Sequence, residues 1–318
     1  MRELKILVTG AVLLAALNGC SSTAGWYHLP PLEFDEVDYG YDVERTRVRN
    51  LEVAYIDAGR GDVLLLIHGL GSNAKAWLRN IPVLAREHRV IAVDLPGYGK
   101  SSKGPYPYSL SFYAQVLTEL LDEIGVPSAT WVGHSMGGQI ALVAALERAR
   151  AVDRLVLVSP AGFERFTDGE GAWMRGAVTA EFVCETPIRS IAENLEVNFH
   201  RKPPEADFMI TDRIQIRGAS DFERYCYAVS RNVGAMLDHP VYEELVHVRQ
   251  PTLVLFGERD ALIPNSYLHG GFAEDVAREG AERLPDAELI MAPDTGHFVQ
   301  FEAADLTNQA ILAFLRRR

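Results

Sequence analysis

Short apolar runs recur along the chain and alternate with stretches of helical spacing. Runs that are apolar at nearly every position are typical of strands buried on both faces of a parallel sheet. The predicted buried strands are Val63–Ile67, Val90–Val93, Thr130–Gly133, Leu155–Val158, Thr252–Phe256 and Glu288–Met291. Val48–Ile56 alternates in part and predicts an early antiparallel strand. Strands that alternate with helices favour a mostly parallel sheet with helices on both faces.

Helical spacing lies between these runs. It predicts helices over Ala74–Glu87, over Leu110–Ile124 with Ser109 as N-cap, from Ser135 to about Ala149, and over Ala304–Leu315. Residues 161–250 break the rhythm with helix-like stretches that are rich in aromatic residues and methionine. This interval is interpreted as a helical cap inserted into a core formed by residues 46–160 and 251–318.

The amino terminus has the pattern of an export signal. Arg2 and Lys5 precede Ile6–Leu17, a mostly apolar run shorter than the roughly 20 residues that span a bilayer. The run ends in Leu17-Asn18-Gly19-Cys20, which resembles the lipobox of bacterial lipoproteins, although Asn18 replaces the usual small residue. The resemblance implies that residues 1–19 are removed and that Cys20 is acylated; an ordinary cleaved signal and an uncleaved short anchor are the alternatives. Residues 20–45 contain Pro30, Pro31 and many acidic and aromatic residues, and they are interpreted as a tether between the lipid and the domain. Ser21 then favours anchoring in the outer membrane.

Charge and cysteine content narrow the possible partners. The chain has 318 residues, of which 48% are hydrophobic, and a formal net charge of −12. A nucleic-acid partner is therefore not expected, since phosphate binding needs clustered Lys and Arg. The only dense basic run, Arg316–Arg318, is interpreted as a solvated helix end. An exported protein could pair Cys184 with Cys226. Sequence does not give their separation, and two buried free thiols are the favoured interpretation.

The strongest chemical signal is Gly133-His134-Ser135-Met136-Gly137, which fits the G-x-S-x-G nucleophile elbow. In such an elbow a serine occupies a strained turn between a strand and a helix, so its hydroxyl is exposed at the sheet edge. The glycines allow the helix and strand to approach closely. Free N–H groups and the positive dipole end of the following helix lie beside the serine. Ser135 is therefore the predicted nucleophile.

Five motifs occur in the order found in one superfamily. They are His68-Gly69-Leu70-Gly71, Asp94–Ser101, Gly133–Gly138, Gly257–Asp260 and Gly296-His297. With them the chain resembles the α/β-hydrolase superfamily, in its branch of capped lipases and esterases. The resemblance covers roughly residues 46–160 and 250–318. It implies an α/β-hydrolase fold, with a mostly parallel central sheet flanked by helices and an inserted helical cap.

The other two members of a catalytic triad follow the serine in this fold, first the acid and then the histidine. Asp260 lies just beyond the predicted strand at Thr252–Phe256, where the family's acid usually sits. Rivals for the acid are Glu258, Asp286 and Asp294, with Glu164 near the end of the preceding strand. His297 lies between the last strand and the final helix, at the family's catalytic position. His68, His134 and His269 are expected to have other roles.

The resemblance also assigns the oxyanion hole, which needs two N–H donors aimed at the developing negative charge. The backbone amides of Leu70 and Met136 are the expected donors. Asp94 and the glycines after it are interpreted as a structural turn. The sequence contains no His or Cys cluster with metal-ligand spacing and no phosphate-binding or dinucleotide fingerprint, so neither a metal nor a cofactor is expected.

These residues together predict a serine hydrolase that cleaves carboxylic esters, a lipase or carboxylesterase, through an acyl-enzyme. A small-molecule or lipid ester with an apolar acyl group is the expected substrate, since the cap is aromatic. Carbon–carbon bond hydrolases and cofactor-free perhydrolases of the same fold remain alternatives, because fold does not fix the reaction. A lipoprotein that binds ligands without turnover is the alternative from another class.

Overall fold

A computed structural model describes residues 23–317 of the chain. Its centre is one eight-stranded sheet in the order β1-β2-β4-β3-β5-β6-β7-β8. The strands are β1 Glu44–Val48, β2 Leu51–Gly59, β3 Val63–Ile67, β4 Arg89–Val93, β5 Ala129–His134, β6 Val152–Val158, β7 Thr252–Gly257 and β8 Ala287–Ala292. Strand β2 is antiparallel to both of its neighbours, and the remaining pairs are parallel. This is the α/β-hydrolase fold that the sequence predicts.

Helices cover the sheet and fill the interval between β6 and β7. The helices of the core are α1 Ile81–Leu84, α2 Leu110–Glu123, α3 Met136–Glu147, α9 Ala273–Arg283, α10 Val299–Glu302 and α11 Ala304–Arg317. The helices between β6 and β7 are α4 Asp168–Ala177, α5 Ala180–Glu185, α6 Ile188–Glu196, α7 Asp207–Gln215 and α8 Phe222–Asp238. Within residues 23–317 no helix combines the length and apolar character needed to cross a bilayer.

Most predicted elements are present with small shifts at their ends, and two differ. The single strand predicted over Val48–Ile56 is the second half of a hairpin, because β1 and β2 turn at Arg49, which has a positive φ of 56°. The helix predicted over Ala74–Glu87 is two short pieces, a 3-10 turn over Ala74–Trp77 and α1. Asn80 separates these pieces, and its side-chain amide donates to Asn308 Oδ1 at 2.8 Å. That contact, with a residue 228 positions away, favours an interrupted helix.

The interval between β6 and β7, all of it described, contains helices and 3-10 turns but no strand. Within it α5 packs against α8, and a disulfide joins Cys184 to Cys226. The interpretation of two free thiols is therefore wrong. The two Cα atoms lie 5.6 Å apart, within the range that a disulfide can bridge, and sequence separation alone does not reveal such proximity.

The described part of the predicted tether is built onto the protein. Trp26 and Leu29 pack against an apolar cluster from α6 and α7. Further along, Phe34, Val37 and Tyr39 are buried, with 3–6% of their surface exposed. Cys20 and the predicted signal segment lie outside the described residues.

Candidate functional site

Ser135 lies on a sharp turn between β5 and α3. Its backbone angles are φ 54° and ψ −119°, a strained combination that persists only where the surrounding structure enforces it. A Cβ on Gly133 would lie 2.3 Å from the Gly137 carbonyl oxygen, and one on Gly137 would lie 2.4 Å from the Ile67 carbonyl oxygen. The two glycines therefore let α3 start directly against β5 and β3, as a nucleophile elbow requires.

His297 and Asp260 form a buried pair near this turn. His297 Nδ1 lies 2.8 Å from Asp260 Oδ2, and the two side chains are 4% and 0% exposed. The second oxygen, Oδ1, accepts hydrogen bonds from the backbone N–H groups of Leu262 and Ile263 at 2.9 and 3.0 Å. Every oxygen of the carboxylate thus has a donor, and the carboxylate fixes the imidazole with a proton on Nδ1 and a lone pair on Nε2.

His134, which precedes Ser135, connects the serine turn to the His297–Asp260 pair. His134 Nε2 lies 3.1 Å from the His297 carbonyl oxygen, and the two imidazole rings are 4.8 Å apart. Ser135 Oγ and His297 Nε2 make no hydrogen bond with each other within the described structure. Such catalytic hydrogen bonds are often long before substrate binds and shorten in the transition state.

Two of the rival acids, Asp294 and Glu164, have partners other than His297. Asp294 is an exposed carboxylate 3.8 Å from Arg259. Glu164 instead contacts His269, whose Nε2 and Nδ1 lie 2.8 Å from Glu164 and from Glu170 respectively. This Glu164–His269–Glu170 cluster links the start of the interval after β6 to the loop after β7. It shares no hydrogen bond with His297.

Two backbone amides are available for an oxyanion. Within residues 23–317 neither Leu70 N nor Met136 N donates a hydrogen bond. Met136 opens α3, so its N–H is one of the unpaired groups at a helix start. A Cβ on Gly69 would lie 3.1 Å from Ser135 Cβ, so the loop that carries Leu70 approaches the serine directly.

His68 holds this loop in place. Its Nε2 accepts a hydrogen bond from Leu95 N at 3.1 Å, and its Nδ1 donates to the Gly69 carbonyl at 2.8 Å. Burial lowers the pKa of His68 to about 4, so the ring is neutral and can accept at Nε2. The pKa of His134 also lies well below 6.5; burial is the largest cause, and electrostatic repulsion from His297 is the second. Both imidazoles are therefore neutral.

Asp94 is structural. Its carboxylate is fully buried and accepts from Ala74 N at 2.8 Å, Lys100 N at 2.7 Å and the Tyr39 hydroxyl at 2.8 Å. Sequence reasoning placed Asp94 in a turn and missed its contact with Tyr39. Nothing in the local pattern around either residue indicates the other.

A cavity of about 260 Å³ lies beside the loop of Leu70. Phe298, which follows His297, also lines it, so the cavity adjoins the site. Most of its wall is apolar, and about half of the lining residues lie on α5 to α8. Its charged lining residues are Asp212 and Arg213. A larger depression of about 810 Å³ lies at the opposite ends of the strands, against Val63 and Thr130. Sites in parallel sheets form at the carboxyl ends of the strands, so the smaller cavity is the candidate binding site.

Within residues 23–317 no group of three or more His, Cys, Asp or Glu side chains is arranged to hold a metal ion. The groups present at this rim are a hydroxyl, an imidazole–carboxylate pair and backbone N–H groups. Residues 64–310 match the α/β hydrolase family.

The chain belongs to the α/β hydrolase family.

Curated proteins that are similar in sequence to this chain are named for different activities. The chain is 32% identical over 259 residues to a dihydrolipoyllysine-residue acetyltransferase component of the acetoin cleaving system from Pseudomonas putida. That match covers 81% of this chain but only 64% of the relative. The chain is 31% identical to a 2-hydroxy-6-oxononadienedioate/2-hydroxy-6-oxononatrienedioate hydrolase from Burkholderia vietnamiensis, covering 84% of this chain and 92% of the relative.

Solved structures are similar to this chain at about the same level of sequence identity as these relatives. A probable hydrolytic enzyme from Pseudomonas aeruginosa superposes with a TM-score of 0.80 at 30% identity, covering 90% of this chain and 99% of the other. A structure described as a membrane phospholipase A superposes with a TM-score of 0.70 at 28% identity, covering 87% and 86%. The chain thus belongs to the α/β hydrolase family, and family membership does not determine which bond it cleaves.

Proposed function

We propose that this α/β hydrolase cleaves carboxylic esters with short apolar acyl groups, with Ser135 as nucleophile, His297 as base and Asp260 as the acid. The observation that carries the proposal is the buried 2.8 Å contact between His297 Nδ1 and Asp260 Oδ2 at the rim where Ser135 occupies its strained turn. An imidazole held by a carboxylate at Nδ1 presents its Nε2 lone pair to a hydroxyl, which is the arrangement that activates serine.

In the first half-reaction His297 Nε2 takes the proton of Ser135 as Oγ bonds to the ester carbonyl carbon. The carbonyl oxygen becomes an oxyanion that accepts hydrogen bonds from the N–H groups of Leu70 and Met136. The carbon–oxygen bond to the alcohol then breaks, and the leaving oxygen takes the proton from the imidazolium. Asp260 stabilises the charged imidazolium during both proton transfers.

In the second half-reaction water replaces the alcohol. His297 removes a proton from water as its oxygen attacks the acyl carbon, and the bond to Ser135 Oγ breaks as the proton returns to the serine. The products are one carboxylic acid and one alcohol, and the enzyme is regenerated.

The cavity size favours a small acyl group. Its volume of about 260 Å³ is below the roughly 300–1,000 Å³ that is usual for pockets of drug-sized ligands. Its predominantly apolar wall suits an alkyl or aryl group rather than a sugar. A short-chain esterase therefore fits this cavity better than an enzyme that encloses a whole long-chain lipid.

A panel of p-nitrophenyl esters of graded chain length tests the proposal. We expect turnover that is greatest for short acyl chains, covalent labelling by a fluorophosphonate probe, and loss of both signals in Ser135→Ala. A folded wild-type protein with neither turnover nor labelling would support the alternative of a binding protein without catalysis.

One observation favours a second candidate, a carbon–carbon bond hydrolase. Arg213 lines the cavity, donates to the Gly71 carbonyl and lies over the Tyr225 ring. No described carboxylate forms an ion pair with it, whereas the adjacent Asp212 pairs with Lys75 at 2.6 Å. A guanidinium in this position could bind a substrate carboxylate. The Burkholderia relative is named for hydrolysis of a dicarboxylate with a ketone group, which is chemistry of that kind.

The two candidates separate when an aryl ester and a 2-hydroxy-6-oxo-dienoate are compared at matched enzyme concentration. Because Arg213 also donates to the Gly71 carbonyl beside Leu70, Arg213→Gln should slow both substrates through this loop, but it should raise KM more for the carboxylate-bearing substrate than for the neutral ester. If the dienoate is cleaved at least as efficiently as the best ester, the carbon–carbon reaction replaces ester hydrolysis as the proposed activity.

We also propose that the protein is exported and anchored by acylation of Cys20 to a membrane, the outer membrane in a Gram-negative host. The disulfide between Cys184 and Cys226 supports export, because disulfides persist mainly in oxidising compartments. Metabolic labelling with radioactive palmitate should mark the wild type and not Cys20→Ser. Recovery of both proteins in the unlabelled soluble fraction would contradict the anchor.

A further inference from the structure

Residues 29–39, here called the strap, cross from the cap helices to the core. The first half binds the cap. Leu32 N donates to the Gln215 carbonyl at 3.1 Å, and Gln215 Nε2 donates to the Pro30 carbonyl at 3.1 Å. The Glu33 carboxylate accepts from Ser220 N and Oγ, both at 3.0 Å. These contacts cover the end of α7 and the turn before α8.

The second half of the strap binds the core. Lys100 Nζ donates to the Asp35 carbonyl at 2.9 Å. Tyr39 donates its hydroxyl proton to Asp94 Oδ2 at 2.8 Å. Burial, together with the negative charge of Asp94, raises the pKa of Tyr39 well above 10, so the phenol remains a donor. The strap therefore ties the cap to the core on the side of the candidate site.

Between these two anchors the strap forms part of the cavity wall. Phe34, Val37 and Tyr39 all line the cavity of about 260 Å³ beside Leu70. Phe34 is 6% exposed, its ring lies 5.7 Å from that of Tyr225, and Lys103 Nζ lies 3.8 Å from its ring centre. A ring held on two sides in this way has little freedom to move out of the cavity.

Phe34 also supports the loop that carries an expected oxyanion donor. Its neighbour Tyr225 reaches across to the loop, with its hydroxyl 3.3 Å from the Gly71 carbonyl oxygen. Gly71 directly follows Leu70. The strap thus meets both the space for the substrate and the loop beside the reacting group.

We infer that the strap determines substrate specificity, and that Phe34 limits the length of the straight-chain aliphatic acyl group that the cavity accepts. The expected effect of Phe34 on turnover rests on the proposed ester hydrolysis. Its effect on which chain length binds does not, because Phe34 lines the cavity whatever reaction takes place there. One methylene in a hydrophobic pocket is worth about 10-fold to 200-fold in discrimination. Phe34→Ala removes a whole ring, so several methylenes of longer chains gain room.

The test compares wild type with Phe34→Ala and Phe34→Trp on p-nitrophenyl esters from acetate to decanoate. We expect the decanoate-to-butanoate ratio of kcat/KM to rise roughly 10-fold or more in Phe34→Ala, and to fall in Phe34→Trp. Phe272→Ala is the matched control, because Phe272 is 75% exposed and does not line the cavity; its ratio should equal that of wild type. If Phe34→Ala does not fold, Phe34→Leu is the milder truncation.

A binding experiment separates this inference from the proposed function. Straight-chain carboxylates from butanoate to dodecanoate are titrated calorimetrically into Ser135→Ala with and without Phe34→Ala. A shift of the tightest-binding chain to greater length supports the strap as a specificity wall even if wild type cleaves no ester. Unchanged chain-length profiles in both binding and turnover would overturn the inference, and ester turnover in that case would leave the proposed function standing.

Discussion

Asp260→Asn is the substitution whose consequence follows most directly from the geometry. Asp260 Oδ1 accepts two backbone N–H groups, at 2.9 and 3.0 Å, and Oδ2 faces His297 Nδ1 at 2.8 Å. An asparagine has one acceptor oxygen and one NH₂ donor. The oxygen must remain with Leu262 and Ile263 to satisfy those N–H groups, so the NH₂ group turns toward the histidine.

The imidazole must then accept at Nδ1, and its proton moves to Nε2, where the lone pair for Ser135 would otherwise be. The base is present but in the wrong tautomer. In serine proteases the same change lowers kcat by about 10⁴, which corresponds to about 5 kcal/mol of transition-state stabilisation. Because the two backbone hydrogen bonds survive, we expect the fold to survive as well and KM to change little.

The assay is steady-state hydrolysis of p-nitrophenyl butyrate, with circular dichroism to verify folding. Asp294→Asn is the matched control, since it lies three residues before His297 but is 67% exposed and faces Arg259. We expect its kcat to be close to that of wild type. A folded Asp260→Asn enzyme that loses less than about tenfold in kcat, or an Asp294→Asn enzyme that loses as much as Asp260→Asn, would refute the reasoning.

Three further outcomes are expected. The double variant Cys184→Ser/Cys226→Ser should have a free energy of unfolding about 4 kcal/mol lower than wild type in a denaturant titration, because the disulfide joins residues 42 positions apart. A loss below about 1 kcal/mol would contradict this. Gly257→Ala places a Cβ 2.1 Å from the Gly296 carbonyl oxygen. The clash should displace the adjacent His297, so kcat should fall about 100-fold or more. Gly176→Ala is the control and should leave kcat unchanged, because a Cβ there has nothing within 4 Å. Partial burial lowers the pKa of His269, but its contacts with Glu170 and Glu164 outweigh this and raise the pKa above 6.5; the resulting stability is complete below the unfolded pKa and is lost as pH rises through the folded one. The melting-temperature difference between wild type and His269→Gln should therefore shrink as pH increases above about 6.5, and a difference that grows would refute it.

The parts of the fold that could be predicted from sequence are those encoded locally. The run Val63–Ile67 has no polar residue, and it forms a strand with parallel neighbours on both sides. The elbow around Ser135 could be predicted for a related reason, since its glycines are required by contacts within a few residues and with one adjacent strand.

Features that depend on remote partners could not be predicted. Asn80 binds Asn308, and the local helical spacing around Asn80 contains no trace of that partner. The bond between Cys184 and Cys226 depends on how α5 packs against α8, which neither helix encodes alone. The placement of Asp260 against His297 could be anticipated only through resemblance to relatives that share the order of the motifs.

The strap limits how far the relatives can be used to assign a substrate. The match to the family covers residues 64–310, whereas Phe34 lies outside it and still lines the cavity beside the reacting groups. The machinery expected at Ser135, Asp260 and His297 lies inside the matched region, so the type of chemistry can follow the family. Function depends on the site rather than on the fold, and part of this site's wall comes from a segment to which the family match does not extend. Relatives of about 30% identity can therefore share the core with this chain and still act on different substrates. The substrate of this chain has to be measured on protein that includes the strap.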